Sequence, residues 1–323
     1  MYNYCESKAS IWSGRVDSID NPEAFRIHQM IQCCHIDDLI HLEKKTHNFA
    51  IVGFESDLGV KINQGRVGAS EAPNIIRSKI APLPWKFEDV NLVDVGNVYS
   101  SDNLTKAQKS LGEVVTKIIK AGYFPLVLGG GHETALGHYY GNYNATSDNI
   151  GIVNLDAHFD NRPYEETGPC SGTMFRQIYD LLEDNHKPYN YMVLGIQDHA
   201  NTTELFNYAD KTKTKYIYAD QLDNFHLNEN MTLVDEFIDK VDQIMLTIDM
   251  DVFNISIAPG VSATQPFGVF PEQIMPYVKR ISQSGKLSSI DVVEVSPPHD
   301  INNNQTSTLA AIFLYYLMKD LVN

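Results

Sequence analysis

The chain has 323 residues, 43% of them hydrophobic, and carries a formal net charge of -16 at pH 7. This length and apolar content suit a sizeable core. Because no linker, repeat or charge run divides the sequence, we predict a single domain over residues 1–323. The acidic charge argues against nucleic acid and anionic membrane surfaces as partners, since their phosphates would repel it. An anionic substrate would need locally placed arginines.

Cysteine usage and the N-terminus indicate the compartment. None of the four cysteines forms a Cys-x-x-Cys pair, and adjacent Cys33 and Cys34 are poorly placed for a disulfide, so we predict reduced thiols. The N-terminus has no apolar signal segment, and no apolar run approaches the ~20 residues needed to span a bilayer. These observations predict a cytoplasmic protein.

Strands and helices are predicted to alternate after an irregular segment at 1–23, with a glycine-rich loop at 55–72. Apolar runs predict strands over 49–54, 92–95 (ended by Gly96), 124–128, 150–155, 191–196, 215–219, 244–250 and 288–295. The predicted helices are 22–34, 35–42, 74–80, 102–121, 135–140, 205–208, 233–241, 271–283 and 308–321. Eight apolar strands separated by helices favour a parallel sheet covered on both faces.

The segment that follows the strand at 150–155 carries Asp156, His158 and Asp160. In an extended backbone successive side chains alternate between faces, so these three would point the same way. Two carboxylates and an imidazole that converge at a strand end form a donor set for a divalent cation. We therefore treat these three residues as candidate metal ligands.

Two further strand ends carry similar groups. Asp249 and Asp251 lie at the end of one strand, and His132 follows a glycine run after another. Ligands of parallel sheets gather beyond the carboxyl ends of the strands, so we expect all six candidates to meet there. Four aspartates in one crevice would repel each other strongly unless cations neutralised them. Oxygen-rich ligation with two imidazoles suits Mn²⁺, and two such ions ~3.5–4 Å apart can activate a shared water.

Each motif has a plainer explanation when it is taken alone. A single Asp at a strand end is commonly a helix cap or a loop residue, and glycine-rich turns after strands are common. Asp249 and Asp251 could form a solvated strand tip. The three motifs together, each at the end of a predicted strand, favour a metal site over these structural explanations.

These motifs resemble those of the ureohydrolase family, which includes arginases, agmatinases, guanidino-acid hydrolases and formimidoylglutamases. The matching segments are 65–69, 130–132, 156–160, 249–251, 258–260 and 291–294. The resemblance implies a three-layer α/β/α fold around a mostly parallel eight-stranded sheet, two Mn²⁺ ions per subunit, a small-molecule substrate and a homo-oligomer. It also implies hydrolysis of a C–N bond in an amidine or guanidine. Asn254 stands where many members have Asp, at a position that is not a metal ligand in the family.

The loop after the Asp156 motif narrows the resemblance. Arginases and agmatinases carry a histidine where this chain has Ser171, although a polar residue there is by default a turn residue. The Ser-Gly-Thr-x-Phe sequence at 171–175, and the segments 12–17 and 128–133, are similar to those of formimidoylglutamases. The resemblance therefore implies a binuclear manganese hydrolase that converts N-formimidoyl-L-glutamate to L-glutamate and formamide, as in histidine degradation.

The resemblance implies the role of Asp160, and the chemistry and position of the other residues predict theirs. Asp160 would relay a proton to the leaving amine, and Glu294 would hold the substrate amidinium. Arg162 is the first candidate for binding a substrate carboxylate and Arg176 the second, because the guanidinium fork matches a carboxylate. A surface position would explain Arg176 equally well. Ser171 completes the predicted substrate-binding set.

Other arginines and other functions were weighed beside these. Arg66 and Arg77 are expected to brace the glycine-rich loop. An agmatinase or guanidino-acid hydrolase that releases urea stays open, although Arg162 near the mouth of the site would disfavour cationic agmatine. A catalytically silent binding protein of the same fold would be expected to have lost metal ligands, whereas all six are present. A sugar- or phosphate-binding α/β protein would leave the four aspartates unexplained.

Overall fold

The computed structural model describes residues 3–322, and within them one sheet has ten strands. The strands are β1 (Tyr4–Cys5), β2 (Gln32–Cys33), β3 (His47–Glu55), β4 (Val90–Tyr99), β5 (Phe124–Leu128), β6 (Ile150–Leu155), β7 (Asn190–Ile196), β8 (Lys215–Tyr218), β9 (Gln243–Asp249) and β10 (Leu287–Val293). Their order along the sheet is β1-β4-β3-β5-β10-β9-β6-β7-β8, and β2 also pairs with β4. Only β1 runs antiparallel to its neighbour among these described pairings.

The α-helices of the described residues lie mostly between the strands. They are α1 (Ile27–Met30), α2 (Leu58–Ile62), α3 (Ala72–Ile80), α4 (Leu104–Lys120), α5 (Thr134–Ala145), α6 (Met174–Asp184), α7 (Thr203–Lys211), α8 (Leu227–Asp239), α9 (Pro271–Ser282) and α10 (Gln305–Val322). None of them is long and apolar enough to cross a membrane.

The two faces of the sheet bury different side chains, because neighbours in a strand point in opposite directions. In β6, Val153 packs in a cluster with residues of α3, α8, α9 and α10. Its neighbour Ile152 packs with α5, α6 and α7 on the other face, which α4 also covers. Two helical layers thus enclose the sheet, which confirms the predicted three-layer α/β/α fold, and β3–β10 correspond to the eight predicted strands.

The N-terminal segment differs from the prediction of helices over 22–34 and 35–42. It contains the single-turn helix α1, two short 3-10 helices and the strand β2. The Ile27 backbone N–H donates to Leu83 O (2.9 Å), and Gln32 pairs with Val93 of β4. These contacts with distant segments take the place of a continuous helix, and local sequence does not report them.

Gly96 does not end β4, which was predicted to stop at this residue, because the strand continues to Tyr99. Gly96 has a φ of 96°, a left-handed conformation that favours glycine. A Cβ atom at this position would lie 2.1 Å from the Cys5 carbonyl oxygen. The glycine therefore allows β1 to approach and pair with β4.

The helix α6 was not predicted. Its Phe175, Ile178 and Leu182 are buried at helical spacing, which is the pattern of an amphipathic helix. The segment lies directly after the Ser-Gly-Thr loop, and its apolar face packs in the same cluster as Tyr191 of β7. This helix matters for the site because it decides where Arg176 points.

A buried ion pair ties α3 to β4. Arg77, 1% exposed, donates to Asp94 through Nε (3.0 Å) and Nη2 (2.8 Å) and to Asn97 Oδ1 through Nη1 (2.6 Å). Trp12 Nε1 donates to the same Asp94 carboxylate at 2.7 Å. Arg77 therefore braces β4 and the N-terminal segment. This differs from the expectation that Arg77 braces the glycine-rich loop.

Four adjacent strands in the middle of the sheet position the candidate ligands. In the order β5-β10-β9-β6, the register pairs Leu128 with Val292, Val293 with Asp249, and Ile248 with Leu155. The carboxyl ends of these four parallel strands are therefore level with one another. The loops that leave them meet at one edge of the sheet.

Candidate metal centre

The six predicted ligands converge at this edge in two groups that share Asp156. One group contains His132, Asp156, Asp160 and Asp249, and the other contains Asp156, His158 and Asp251. Within each group the candidate ligand atoms lie within 4.8 Å of one another. A shared carboxylate between two donor sets is the arrangement that a binuclear metal site requires.

In the first group, three carboxylates surround the imidazole of His132. His132 Nδ1 lies 3.2 Å from Asp156 Oδ2, 2.9 Å from Asp160 Oδ2 and 3.0 Å from Asp249 Oδ2. His132 is 1% exposed, and its Nδ1 has no aligned hydrogen-bond partner among the described residues. This buried nitrogen faces three carboxylate oxygens without a hydrogen bond. The four atoms are therefore arranged as metal-ligand atoms directed at a common point.

The second group is more open to solvent. His158 Nδ1 lies 3.3 Å from Asp156 Oδ1 and 3.2 Å from Asp251 Oδ2. The two motifs turn in the same way after their strands: His158 N donates to Asp156 Oδ1 (2.7 Å), and Asp251 N donates to Asp249 Oδ1 (2.8 Å). These Asx-type turns fix the first aspartate of each motif and direct the following side chains into the cluster.

The cluster is electrostatically strained. Burial, followed by the charges of Asp251 and Asp156, raises the pKa of Asp249 well above its usual range. Burial also raises the pKa of Asp251 to about 6, against the opposing effect of His158. Burial would lower the pKa of His132, but the nearby carboxylates of Asp156, Asp160 and Asp249 raise it well above its ordinary value. These raised pKa values indicate that the cluster favours added positive charge.

The residues fit divalent cations. Four carboxylates and two imidazoles, with no thiolate among them, form a hard, oxygen-rich donor set. The Oδ1 atom of Asp251 is buried and has no hydrogen-bond partner among the described residues, like His132 Nδ1. Both atoms are available to a metal, and cations would remove the carboxylate repulsion that now raises the pKa of Asp249.

Two of the predicted site residues have a backbone conformation that is uncommon for residues other than glycine. Asp160 has a φ of 47° and Glu294 a φ of 62°. Strain of this kind is found preferentially at functional sites. At Glu294 this backbone conformation ends β10 at Val293. It also lets Glu294 Oε1 accept from the His132 backbone N–H at 2.7 Å.

Glycines before His132 let two loops pack backbone against backbone. A Cβ atom on Gly130 would lie 1.7 Å from the Ser56 carbonyl oxygen, and Gly131 N donates to that same oxygen at 2.9 Å. The Glu294 N–H donates to Gly130 O at 2.8 Å. The loop after β5 is thus held between the loops that follow β3 and β10.

A pocket of about 290 Å³ opens onto the cluster. Its walls come from the cluster, from the glycine-rich loop and from two further loops. The residues that line it are Val60, Asn63, Gln64, Gly65, Arg66, His158, Asp160, Arg162, Ser171, Asp249, Asp251, Ser262, Ala263 and Glu294. The pocket is thus lined by positive and hydroxyl groups as well as by the strongly acidic cluster.

A family model described as Arginase family matches residues 47–319, which is most of the chain. The chain belongs to the arginase family. A formimidoylglutamase from Streptococcus pyogenes serotype M3 is 44% identical to it over 279 residues, which cover 85% of this chain and 84% of that relative. A formimidoylglutamase from S. pyogenes serotype M1 has the same identity and coverage.

Solved structures have the same fold. Formimidoylglutamase from Bacillus subtilis superposes with a TM-score of 0.81 at 23% identity, covering 96% of this chain and 95% of that chain. Trypanosoma cruzi formiminoglutamase with Mn²⁺ has a TM-score of 0.75 at 20% identity and covers 90% and 99%. B. subtilis arginase has a TM-score of 0.70 at 22% identity and covers 85% and 98%. At these identities the structures establish the arginase-like fold alone.

In this arginase-family chain, the structure brings Arg162 and Ser171 to the wall of the pocket. The Arg162 backbone N–H donates to Gly172 O (2.9 Å), and Asn63 Nδ2 donates to Ser171 Oγ (3.3 Å). The Arg162 guanidinium forms no ion pair within the described residues. An unpaired guanidinium beside a pocket is available to an anionic ligand.

The structure does not bring Arg176 to this pocket. Its guanidinium stacks on the Tyr208 ring, 3.9 Å from the ring centroid, and it lines a separate surface depression with Glu165 and Glu204. Arg176 lies on α6, and the helix directs its neighbours Phe175 and Ile178 into the core. The prediction that paired Arg176 with Arg162 came from sequence proximity, which does not carry this direction.

Several residues of the glycine-rich loop and of the segment at 262–263 were not predicted to line the site. Asn63, Arg66 and Ser262 all face the pocket, although Arg66 also braces the loop as expected, because it donates to Ser262 O (3.0 Å) and Val261 O (2.6 Å). The polar Asn-Gln-Gly-Arg sequence at 63–66 was the available signal. The contact with 261–262 joins segments 196 residues apart and has no local signature.

Proposed function

We propose that this chain is a formimidoylglutamase, which hydrolyses N-formimidoyl-L-glutamate to L-glutamate and formamide. The observation that carries the proposal is a pocket that joins a cluster of metal-ligand type to the unpaired guanidinium of Arg162. The formimidoylglutamases that are 44% identical over 85% of the chain support the same substrate. A dicarboxylate with an amidinium group matches both ends of this pocket.

We assign His132, Asp156, His158, Asp160, Asp249 and Asp251 as the residues that hold two Mn²⁺ ions. The T. cruzi relative is a structure with Mn²⁺, and the oxygen-rich donor set here suits the same ion. When bound, two such ions activate water for attack near neutral pH and stabilise the negative charge that develops.

The substrate is oriented by groups on opposite walls. Arg162 pairs with a substrate carboxylate through its guanidinium fork, and the Ser171 hydroxyl donates to the same region of the substrate. Glu294 receives the amidinium, because its Oε2 is buried and has no hydrogen-bond partner among the described residues. Burial raises the pKa of Glu294 to about 8, with a further contribution from Glu133. A cationic amidinium would stabilise its ionised form.

Proton transfer completes the reaction at Asp160. Water adds to the amidine carbon and gives its proton to the Asp160 carboxylate. The bond from that carbon to the glutamate nitrogen then breaks, and the leaving amine takes this proton from Asp160, which returns to its ionised form. Burial, followed by the charge of Asp156, raises the pKa of Asp160. A raised pKa favours transient protonation of this carboxylate as it passes the proton from the water to the amine. We also propose a single cytoplasmic domain, as the cysteine usage and the undivided sequence predict, and a homo-oligomer, as the family resemblance implies.

The test is turnover by full-length protein that has been stripped of metal and reloaded with Mn²⁺. We expect formamide and glutamate from N-formimidoyl-L-glutamate, and no urea from arginine, agmatine or guanidinobutyrate. Protein that stays metal-free serves as the control. Release of urea from a guanidino compound, with no formamide from formimidoylglutamate, would assign the chain to a different branch of the family.

Replacement of Arg162 tests the carboxylate subsite. Arg162→Ala should raise KM for formimidoylglutamate about 10- to 100-fold, since a charged hydrogen bond contributes about 1.5–3 kcal/mol, and should change kcat far less. Arg280→Ala, which removes an exposed arginine paired with Asp235 on α8, is the matched control and should leave both constants unchanged. An unchanged KM in Arg162→Ala would contradict the assignment.

A further inference from the structure

A chain of hydrogen bonds runs from His132 away from the metal cluster into the core. His132 Nε2 lies 3.1 Å from Thr247 Oγ1, and the Thr247 hydroxyl donates to Asp291 Oδ1 at 2.5 Å. His138 Nδ1 lies 2.6 Å from the other oxygen of the same carboxylate, Asp291 Oδ2. All four side chains are at most 1% exposed. Neither the metal ligation nor the substrate contacts proposed above use Thr247, Asp291 or His138.

This chain of hydrogen bonds involves residues from three elements of the fold. Thr247 and Asp291 are paired residues on the adjacent strands β9 and β10, so their side chains leave the same face of the sheet side by side. His138 lies on α5, the helix that begins just after His132. Both ends of the hydrogen-bond chain are therefore connected to the same helix. The position of the His132 imidazole is fixed on the side away from the metal cluster.

The direction of each hydrogen bond follows from the groups involved. The Asp291 carboxylate accepts from two sides, from the Thr247 hydroxyl and from His138 Nδ1–H. Because Thr247 uses its only hydrogen toward Asp291, its oxygen can only accept from His132. In the neutral imidazole that binds a metal, the single proton of His132 must then lie on Nε2, and the lone pair of Nδ1 points toward Asp156, Asp160 and Asp249.

We propose that Thr247, Asp291 and His138 are positioning residues that fix the tautomer and ring orientation of His132, and thereby set the affinity of the His132 group for its metal ion. Outer hydrogen bonds of this type typically change metal affinity about 10- to 100-fold. The inference rests on the metal-binding part of the proposed function and is independent of the substrate.

The second metal group lacks an equivalent support. His158 is partly exposed, and within the described residues its imidazole has no hydrogen bond outside the cluster. The two metal positions should therefore respond differently when the chain is broken. A buried hydrogen bond that served the fold alone would not affect one metal position selectively.

The experiment measures Mn²⁺ binding to full-length protein that has been stripped with a chelator. Thr247→Val removes the hydroxyl at nearly constant shape, Thr247→Ser retains it, and Ser289→Ala is the matched control. Ser289 is also fully buried, lies on β10 two residues from Asp291, and donates to Asn142 Oδ1 at 3.0 Å. Calorimetry gives affinity and stoichiometry, and electron paramagnetic resonance reports the coupling between two Mn²⁺ ions.

We expect Thr247→Val to bind one Mn²⁺ at least about tenfold more weakly than wild type and to lose the coupled two-ion spectrum at limiting Mn²⁺. Thr247→Ser should restore both, and Ser289→Ala should lower the metal-free melting temperature without a change in Mn²⁺ affinity. Equal weakening of both Mn²⁺ positions, or wild-type binding by Thr247→Val, would overturn the proposal.

Asp291→Asn gives a second test that does not depend on Thr247→Val folding. To accept from His138 Nδ1–H, the amide must turn its NH₂ group toward Thr247. Thr247 would then donate to His132 and shift the imidazole proton to Nδ1, where a metal should bind. We expect a loss of one Mn²⁺ position at neutral pH; two tight positions in this variant would refute the tautomer argument. Wild-type protein that binds two Mn²⁺ but releases no formamide would refute the proposed substrate alone.

Discussion

Asp156→Asn is expected to lose both Mn²⁺ ions at micromolar concentrations and at least about a thousandfold in kcat/KM, since the ions supply several kcal/mol and about 4 kcal/mol is a thousandfold. Asp156 is the only residue that contributes to both groups of candidate ligands among the described residues. Asparagine keeps the shape and can still accept from the His158 N–H, now 2.7 Å from Oδ1. The loss should therefore come from the missing charge.

Metal content after dialysis, together with formamide release, measures this effect. Asp148→Asn is the matched control, because Asp148 lies just before the same strand and only accepts from Gln243 Nε2 (2.7 Å) at the surface. That control should retain two ions and full turnover. Retention of both ions by Asp156→Asn would mean that the two groups do not share this carboxylate, and the binuclear assignment would be lost.

The second large effect is a pH-dependent gap in thermal stability between Mn²⁺-loaded and metal-free protein. Burial raises the pKa of Asp251 to about 6, of Glu133 to about 7 and of Glu294 to about 8. In the unfolded chain such carboxyls titrate at about 4. Because the folded form binds these protons more tightly, their contribution to stability is present below about pH 4 and is lost as pH rises through the folded values.

The histidines change stability in the same direction. Contacts with the aspartates raise the pKa of His132 and His158 well above 6.5, in spite of their burial. Their contribution is complete below the unfolded value of about 6.5 and is lost at higher pH. Asp156, whose pKa the two imidazoles lower against the effect of burial, acts in the opposite sense only in acid. Metal-free protein should thus become less stable from about pH 5 to pH 8.

Metal ions replace the protons on the ligand groups Asp251, His132 and His158, so the gap should widen as pH rises. At Mn²⁺ about 100-fold above Kd the gain is about 2.7 kcal/mol for each ion, which corresponds to about 4 °C per ion at pH 8 and to little at pH 5.5. Differential scanning calorimetry with Mn²⁺ or with a chelator measures both curves. The Asp148→Asn control should match wild type, and a gap that does not change with pH would contradict the electrostatic account of the cluster.

The metal cluster could be predicted from sequence because its geometry is largely local. Asp156, His158 and Asp160, like Asp249 and Asp251, are spaced at i and i+2 after apolar strands, and parallel sheets bring such ends together. The structure shows one detail that this argument lacks. The Asp160 backbone is left-handed, so the alternation of an extended strand does not extend to this residue. Its carboxylate reaches His132 by a turn.

The substrate pocket could be predicted less well, because its walls are joined by contacts between distant segments. Arg162 and Arg176 had equal chemistry in the sequence, and only the unpredicted helix α6 separates them in space. Arg66 enters the pocket because Val261 and Ser262 accept from its guanidinium. Side-chain direction and long-range loop pairing decide these positions, and neither has a periodic signal.

The N-terminal region was predicted worst for a related reason. Two-residue strands such as β1 and β2 are too short for any periodicity, and each exists because β4 offers an edge. The Tyr4 hydroxyl donates to Val95 O and accepts from the Ile36 N–H, which joins this edge to the segment after β2. Such tertiary pairing overrides local propensity.

The backbone contact between Gly130 and Ser56 links the pocket mechanically to the metal cluster. The two backbones are in contact with no side chain between them. The loop after β3, which leads into the pocket, and the loop that carries His132 therefore behave as one rigid unit. A ligand that displaces the Asn63 to Arg66 segment would also displace the imidazole. Substrate fit and metal geometry therefore depend on the same backbone contact, and a change in either one must be accommodated by the other.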